Sequence, residues 1–152
     1  MNSEIQAFIA RWEAFYKGVG KLAEAMPEQD YDFKPTPEVF SFKELLFHII
    51  NAEASFIDMI QTGTWTRNKY PAENYKNKQD ILNLINQSHS QNMKKLEGIS
   101  DDQLQKVVKT PWGAEMTTSA LIWGMRDHMI HHRGQLFVYV RLKGIKPPPF
   151  VE

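Results

Sequence analysis

The sequence contains no cysteine. Disulfides, thiolate nucleophiles and thiolate metal ligands are therefore excluded. Any metal must be held by histidine or carboxylate. The chain also lacks an excess of either charge, with 18 Lys and Arg against 18 Asp and Glu. That balance argues against a general nucleic-acid binder, whose affinity comes from surplus Lys and Arg meeting phosphate. No apolar run approaches the ~20 residues needed to span a bilayer. The opening Met-Asn-Ser-Glu-Ile-Gln lacks the basic-then-apolar pattern of a secretion signal. A cytoplasmic protein without a membrane partner is the expectation. There is no internal repeat and no linker-like stretch, and 152 residues fit one domain over 1–152.

What is present is apolar and aromatic. Nine Phe, five Tyr and four Trp are too much apolar surface to leave in water, which excludes general disorder. A chain of this size buries about 68–70% of its unfolded surface, so it needs no metal merely to fold. Four long helices are predicted. The first runs from about Ser3 to Met26, with Ile5, Phe8, Ile9, Trp12, Phe15, Tyr16, Val19 and Leu22 on one face, and Pro27 ends it. A loop with Pro27, Pro35 and Pro37 follows. Ser41-Phe42-Lys43-Glu44 is a capping-box pattern that opens the second helix, and Gly63 stops it. A loop holding Trp65, Tyr70 and Tyr75 leads to the third helix, capped by Asn77 and ended at Gly98. Ser100 starts a short helical turn, and residues Val107–Trp112 read as briefly extended. The fourth helix begins near Thr117 or Thr118 and runs to Lys143, before Gly144 and three prolines. Four amphipathic helices in one domain predict an all-α four-helix bundle with long loops.

The five histidines are His48, His89, His128, His131 and His132. His128 and His132 are one helical turn apart, so their rings lie about 5–6 Å from each other on one face. They interrupt the otherwise apolar row Leu121, Met125, Leu136 and Tyr139. His131 lies on a different row, with Gly124 and Gly134, a face expected to pack on the first helix or on a second subunit. His48 sits in Leu45-Leu46-Phe47-His48-Ile49-Ile50, where an unpartnered polar ring would be costly. Three imidazoles suit a divalent transition metal and leave a position open for water or substrate. Spacing alone supports two readings equally, a metal site and a set of hydrogen-bonded core histidines. His89 lies in a polar run and reads as solvent exposed.

Three stretches together resemble the DinB-like (DinB/YfiT) superfamily. They are Asp127-His128-Met129-Ile130-His131-His132-Arg133-Gly134-Gln135-Leu136, the tail with Tyr139, Arg141, Gly144 and the prolines, and Phe40-Ser41-Phe42-Lys43-Glu44-Leu45-Leu46-Phe47-His48-Ile49. Phe40 stands where the family opens with Trp. The resemblance implies a four-helix bundle, often a homodimer, with a divalent metal on His48, His128 and His132. Zinc or nickel is expected. It also implies a small-molecule substrate, and in some relatives a low-molecular-weight thiol used by a transferase or isomerase. Without a cysteine of its own, this chain would have to receive the thiol as cosubstrate. A three-histidine ion can lower the pKa of bound water or of a thiol, so a metal-dependent transferase and a hydrolase are both open. A non-catalytic metal-binding stress-response module is the reading from another class. Gln135, Asn51 and Glu44 are candidate catalytic groups by their nearness in sequence to the histidines, with capping the preferred duty of Glu44. Glu53 is a more remote candidate. Arg126 and Arg133 are candidate anion contacts, more simply read as surface charges. Phe40, Trp65, Tyr70 and Trp112 either line a pocket mouth or close the bundle end.

Overall fold

A computed structural model describes residues 3–149. Four long helices build it: α1 Ser3–Ala25, α2 Phe42–Thr62, α3 Lys78–Glu97 and α5 Thr118–Leu142, with a short α4 at Asp101–Gln105. The expected ends hold because local chemistry sets them. Ser41 Oγ accepts the Glu44 backbone N–H at 3.1 Å, and Glu44 Oε2 accepts the Ser41 N–H at 2.7 Å. Together they satisfy two donors that the first turn of α2 leaves open. Gly63 closes α2 at φ 74°, a left-handed conformation that costs glycine little. Asn77 and Thr117 cap α3 and α5.

Inter-helix contacts run α1–α3, α3–α2, α2–α5 and α5–α1, so the order around the bundle is α1, α3, α2, α5. The first two helices in sequence are not neighbours in that ring, and the proline loop carries the chain between them. Directions follow from the contacts at helix ends. Tyr139 near the end of α5 donates to the Phe40 carbonyl just before α2, so these two helices are antiparallel. Lys78 at the start of α3 reaches the Glu24 and Met26 carbonyls at the end of α1, again antiparallel. Glu4 binds Ser119 and Trp123, which makes α1 and α5 parallel. Lys95 binds Asp58, and α2 and α3 end side by side.

The core is contributed by all four long helices. Its aromatic centre is on α1, where Phe8, Trp12 and Phe15 stack successively at 5.5 and 4.8 Å. Burying such rings dominates the stabilisation, at roughly 25 cal/mol per Å² of apolar surface.

The extended stretch after α4 is half of a hairpin. β1 Val107–Lys109 pairs antiparallel with β2 Glu115–Thr117, Val108 opposite Met116. The sequence reading found the first strand and missed the second. Three residues are too few to show alternation, and Val108 is the only one of the six that is fully buried. The turn is held by Thr110, whose N–H and hydroxyl both donate to the Ala114 carbonyl, at 2.8 and 2.9 Å.

Candidate metal centre

His48 enters from the second turn of α2, and His128 and His132 from successive turns of α5. The antiparallel packing of these helices brings the three Nε2 atoms into a triangle. The edges are 3.3 Å for His48–His128, 3.0 Å for His48–His132 and 3.1 Å for His128–His132. All three side chains are partly buried.

That triangle cannot be satisfied by hydrogen bonds alone. A neutral imidazole Nε2 carries either a proton or a lone pair, never both. Three mutually close nitrogens therefore set at least one lone pair against another, or one proton against another, whatever the tautomers. A cation bound to three lone pairs removes the conflict. The size also fits. Ligand nitrogens at 2.0–2.1 Å from one ion lie about 3.3 Å apart in a tetrahedron and about 2.9 Å apart on an octahedral face. The observed edges fall between those values. Among the described residues this is the group of histidines and carboxylates that could hold a metal ion.

The electrostatics keep the rings neutral, the state that binds metal. Burial pushes His128 down to about 4, with further lowering from His132, His48 and His131. Burial also lowers His48, helped by His132. His132 is lowered by burial and by His131, while its bond to Gln135 opposes this.

Gln135 has a defined place. Its Oε1 lies 2.7 Å from His132 Nδ1 and accepts the proton there, which leaves the Nε2 lone pair facing the triangle. His128 has no such support, since its Nδ1 is buried without a hydrogen-bond partner. Asn51 is near in sequence but its amide is engaged elsewhere. It donates to the Tyr70 carbonyl at 3.0 Å and accepts the Tyr70 N–H at 2.8 Å, pinning the α2–α3 loop. Glu44 caps α2 and pairs with Lys34 at 3.0 Å. These contacts hold its carboxyl below the usual range, the Ser41 backbone bond first.

Aromatic rings flank the triangle on two sides. Phe40 stacks on His48 with centroids 5.2 Å apart. Phe56 lies 6.2 Å from His128 and carries Trp65 and Trp112 behind it. Beside His132 is a cleft of about 210 Å³, lined by Glu38, Val39, Phe40, Gln135 and Tyr139. The pocket-mouth expectation thus holds for Phe40, with Trp65 and Trp112 joined to His128 through Phe56. Tyr70 serves the loop.

Several other expectations are corrected. His89 is not solvent exposed. Its ring stacks on Tyr16 at 4.2 Å, and its Nδ1 lies 3.3 Å from Glu53. Glu53 is fully buried, on the side of α2 facing α1 and α3, away from the triangle. It accepts hydrogen bonds from Trp12 Nε1 at 2.7 Å and Asn92 Nδ2 at 2.9 Å. Sequence reasoning missed this polar cluster, although a lone carboxylate between Ala52 and Ala54 was a visible signal. A larger depression of about 890 Å³ between α1 and α3 includes His89 but none of the triad. Arg133 is buried, its guanidinium 4.7 Å over Phe15, so it is no surface anion contact. Arg126 lies against Trp123 and Asp127. The His131 face does not pack on α1, since a Cβ at Gly124 or Gly134 would meet nothing within 4 Å.

Comparison with known proteins gives this geometry its context. The DinB family model matches residues 1–152. The uncharacterized protein YjoA of Bacillus subtilis (strain 168) is 30% identical over 136 residues, 87% of this chain and 86% of the relative. The crystal structure of the DinB-like YjoA superposes with a TM-score of 0.79 at 25% identity, covering 96% of this chain and 98% of that one. YfiT of Bacillus subtilis, described as a probable metal-dependent hydrolase with an unusual four-helix bundle topology, shares the fold. Its TM-score is 0.76 at 14% identity, covering 96% of this chain and 91% of YfiT. The mycothiol-dependent maleylpyruvate isomerase also shares it, with a TM-score of 0.68 at 16% identity over 90% of this chain and 63% of the isomerase. With a family model spanning every residue and a relative of that identity and coverage, the chain belongs to the DinB family.

Proposed function

We propose that this protein is a metal-dependent enzyme that activates a low-molecular-weight thiol for transfer to a small electrophile. The observation that carries the proposal is the triangle of Nε2 atoms, 3.0–3.3 Å on a side, which hydrogen bonds cannot satisfy. His48, His128 and His132 would hold a divalent ion, zinc or nickel. When bound, the ion supplies a Lewis acid that lowers the pKa of a coordinated thiol or water. Gln135 keeps His132 in the ligating tautomer. Phe40 covers His48 and limits water on that side.

Thiol transfer is preferred to hydrolysis because of the groups left free. Glu44 and Asn51 are engaged, and the cleft beside His132 carries one carboxylate, Glu38. A bound ion would lower the pKa of a coordinated thiol from its usual value near 8.5, so that its proton would pass to solvent water without a dedicated protein base. Hydrolysis also needs a proton delivered to the leaving group. The chain has no cysteine, so the thiol arrives as a cosubstrate. The isomerase relative, named for its mycothiol dependence, accords with this reading. A homodimer formed through the exposed α5 face of Gly124, His131 and Gly134 belongs to the same proposal. Its test is the mass in solution by light scattering.

The deciding measurement is metal content of untagged protein beside His48→Ala and His132→Ala. About one equivalent in the parent and almost none in the variants is expected. Conjugation of glutathione or bacillithiol to an electrophile is then assayed against ester hydrolysis. No metal after incubation with zinc or nickel would overturn the proposal. Metal without turnover in either assay would leave the non-catalytic binding module as the function.

A further inference from the structure

Phe40 and Trp112 are the aromatic side chains that stand out into solvent among the described residues, 47% and 55% exposed. Phe40 lies directly against the histidine triangle, and Trp112 is linked to it through Phe56. Phe40 stacks on His48. Trp112 meets Trp65 edge-on at 5.7 Å and Phe56 at 6.2 Å, and Phe56 in turn lies against His128. Neither ring dangles. The Phe40 carbonyl is held by the Tyr139 hydroxyl at 2.8 Å. Trp112 sits in the turn tied by Thr110 to Ala114 and Gly113. The hairpin therefore spends its short ladder on presenting one large ring to water. Exposed apolar surface of this kind, rigidly held beside a polar centre, marks a ligand-binding rim.

We propose that the substrate handled at this centre carries a flat aromatic or apolar group, which packs against Phe40 on the His48 side and against Trp112 and Trp65 on the His128 side. The inference rests on the metal reading above and deepens it by naming the class of the electrophile. The ligand's reactive end meets the histidine triangle, and its ring covers the exposed aromatic faces. Ring-on-ring packing and removal of both faces from water together favour such a ligand over an aliphatic one of equal chelating power by roughly ten- to a hundredfold.

The probes are benzohydroxamate and acetohydroxamate, which present the same metal-binding head with and without a phenyl ring. Their affinities for the zinc-loaded full chain are measured by calorimetry, together with zinc affinity and tryptophan fluorescence. The phenyl compound is expected to bind at least tenfold more tightly and to change the fluorescence. In Trp112→Ala and Phe40→Ala the phenyl preference should shrink to threefold or less while zinc is retained. A parent preference below threefold, or one that survives both substitutions, with zinc bound, would overturn the inference alone. A parent that binds no zinc would overturn the metal reading and this inference with it.

Discussion

Replacing Gln135 by Ala tests how the site is prepared for metal. In the parent, Gln135 Oε1 accepts the His132 Nδ1 proton at 2.7 Å. That bond confines His132 to the tautomer whose Nε2 lone pair faces His48 and His128, 3.0 and 3.1 Å away. Without it, the proton is free to move to Nε2. There it would point into the triangle, able to donate to one neighbouring nitrogen while the other contacts stay in conflict, and it would block coordination. Binding must then reverse the tautomer and reorient the ring. Loss of an outer partner of this kind costs about 10–100-fold in metal affinity, equivalent to about 1.4–2.7 kcal/mol. Gln135 is only partly buried, so the fold should be untouched. Zinc affinity by chelator competition, paired with thermal unfolding of the metal-free protein, separates the two effects. Gln135→Glu should retain parent affinity or exceed it, because a carboxylate accepts the same proton and makes the imidazole more basic. Unchanged zinc affinity in Gln135→Ala would refute the tautomer argument. A large fall in metal-free stability would make the residue structural instead.

Asn92→Leu removes one of the donors to the buried Glu53 carboxylate. A hydrogen bond to a charged group is worth about 1.5–3 kcal/mol, so the melting temperature should fall by about 3–12 °C at this chain length. A change under a degree would mean that Glu53 is satisfied without Asn92. Stability of the metal-free protein should depend on pH through His128. Its pKa falls from 6.5 unfolded to about 4 folded, so the unfolded chain takes up the proton first. The contribution is full above pH 6.5 and is lost progressively as pH falls from 6.5 towards 4. Melting temperatures at pH 7.5 and 5.0, with His128→Ala as control, check this. An equal or higher value at pH 5.0 in the parent would contradict it. His128→Ala should abolish metal binding yet keep its helical circular dichroism, because the core is built by four long helices and not by the ion. Global unfolding of that variant would make the metal structural.

The features legible in the sequence are those set by contacts a few residues apart. Helix ends at Ser41, Gly63, Asn77 and Gly98 follow from capping chemistry within one turn of the chain. The nearness of His128 to His132 follows from the helical repeat, and His48 stood out by interrupting an apolar stretch. Such features do not depend on what the helix packs against. The hairpin was half legible because its strands are too short for periodicity and its register is fixed by Thr110 bonding to Ala114.

Tertiary structure decided everything that depends on which faces meet. Spacing allowed both parallel and antiparallel pairings of the helices that carry the histidines. The packing chose antiparallel, with Tyr139 bound to the Phe40 carbonyl, and that choice closes the Nε2 triangle. It also turned Glu53 and Arg133 into the interior, where Trp12, Asn92 and Phe15 receive them. It took Asn51 and Glu44 for structural bonds and left Gln135 on His132. A helix repeat states which side chains share a face. Only burial against other helices determines whether a polar group on that face meets water, a partner or an ion, because the cost of leaving it unmatched is set by the environment it is packed into.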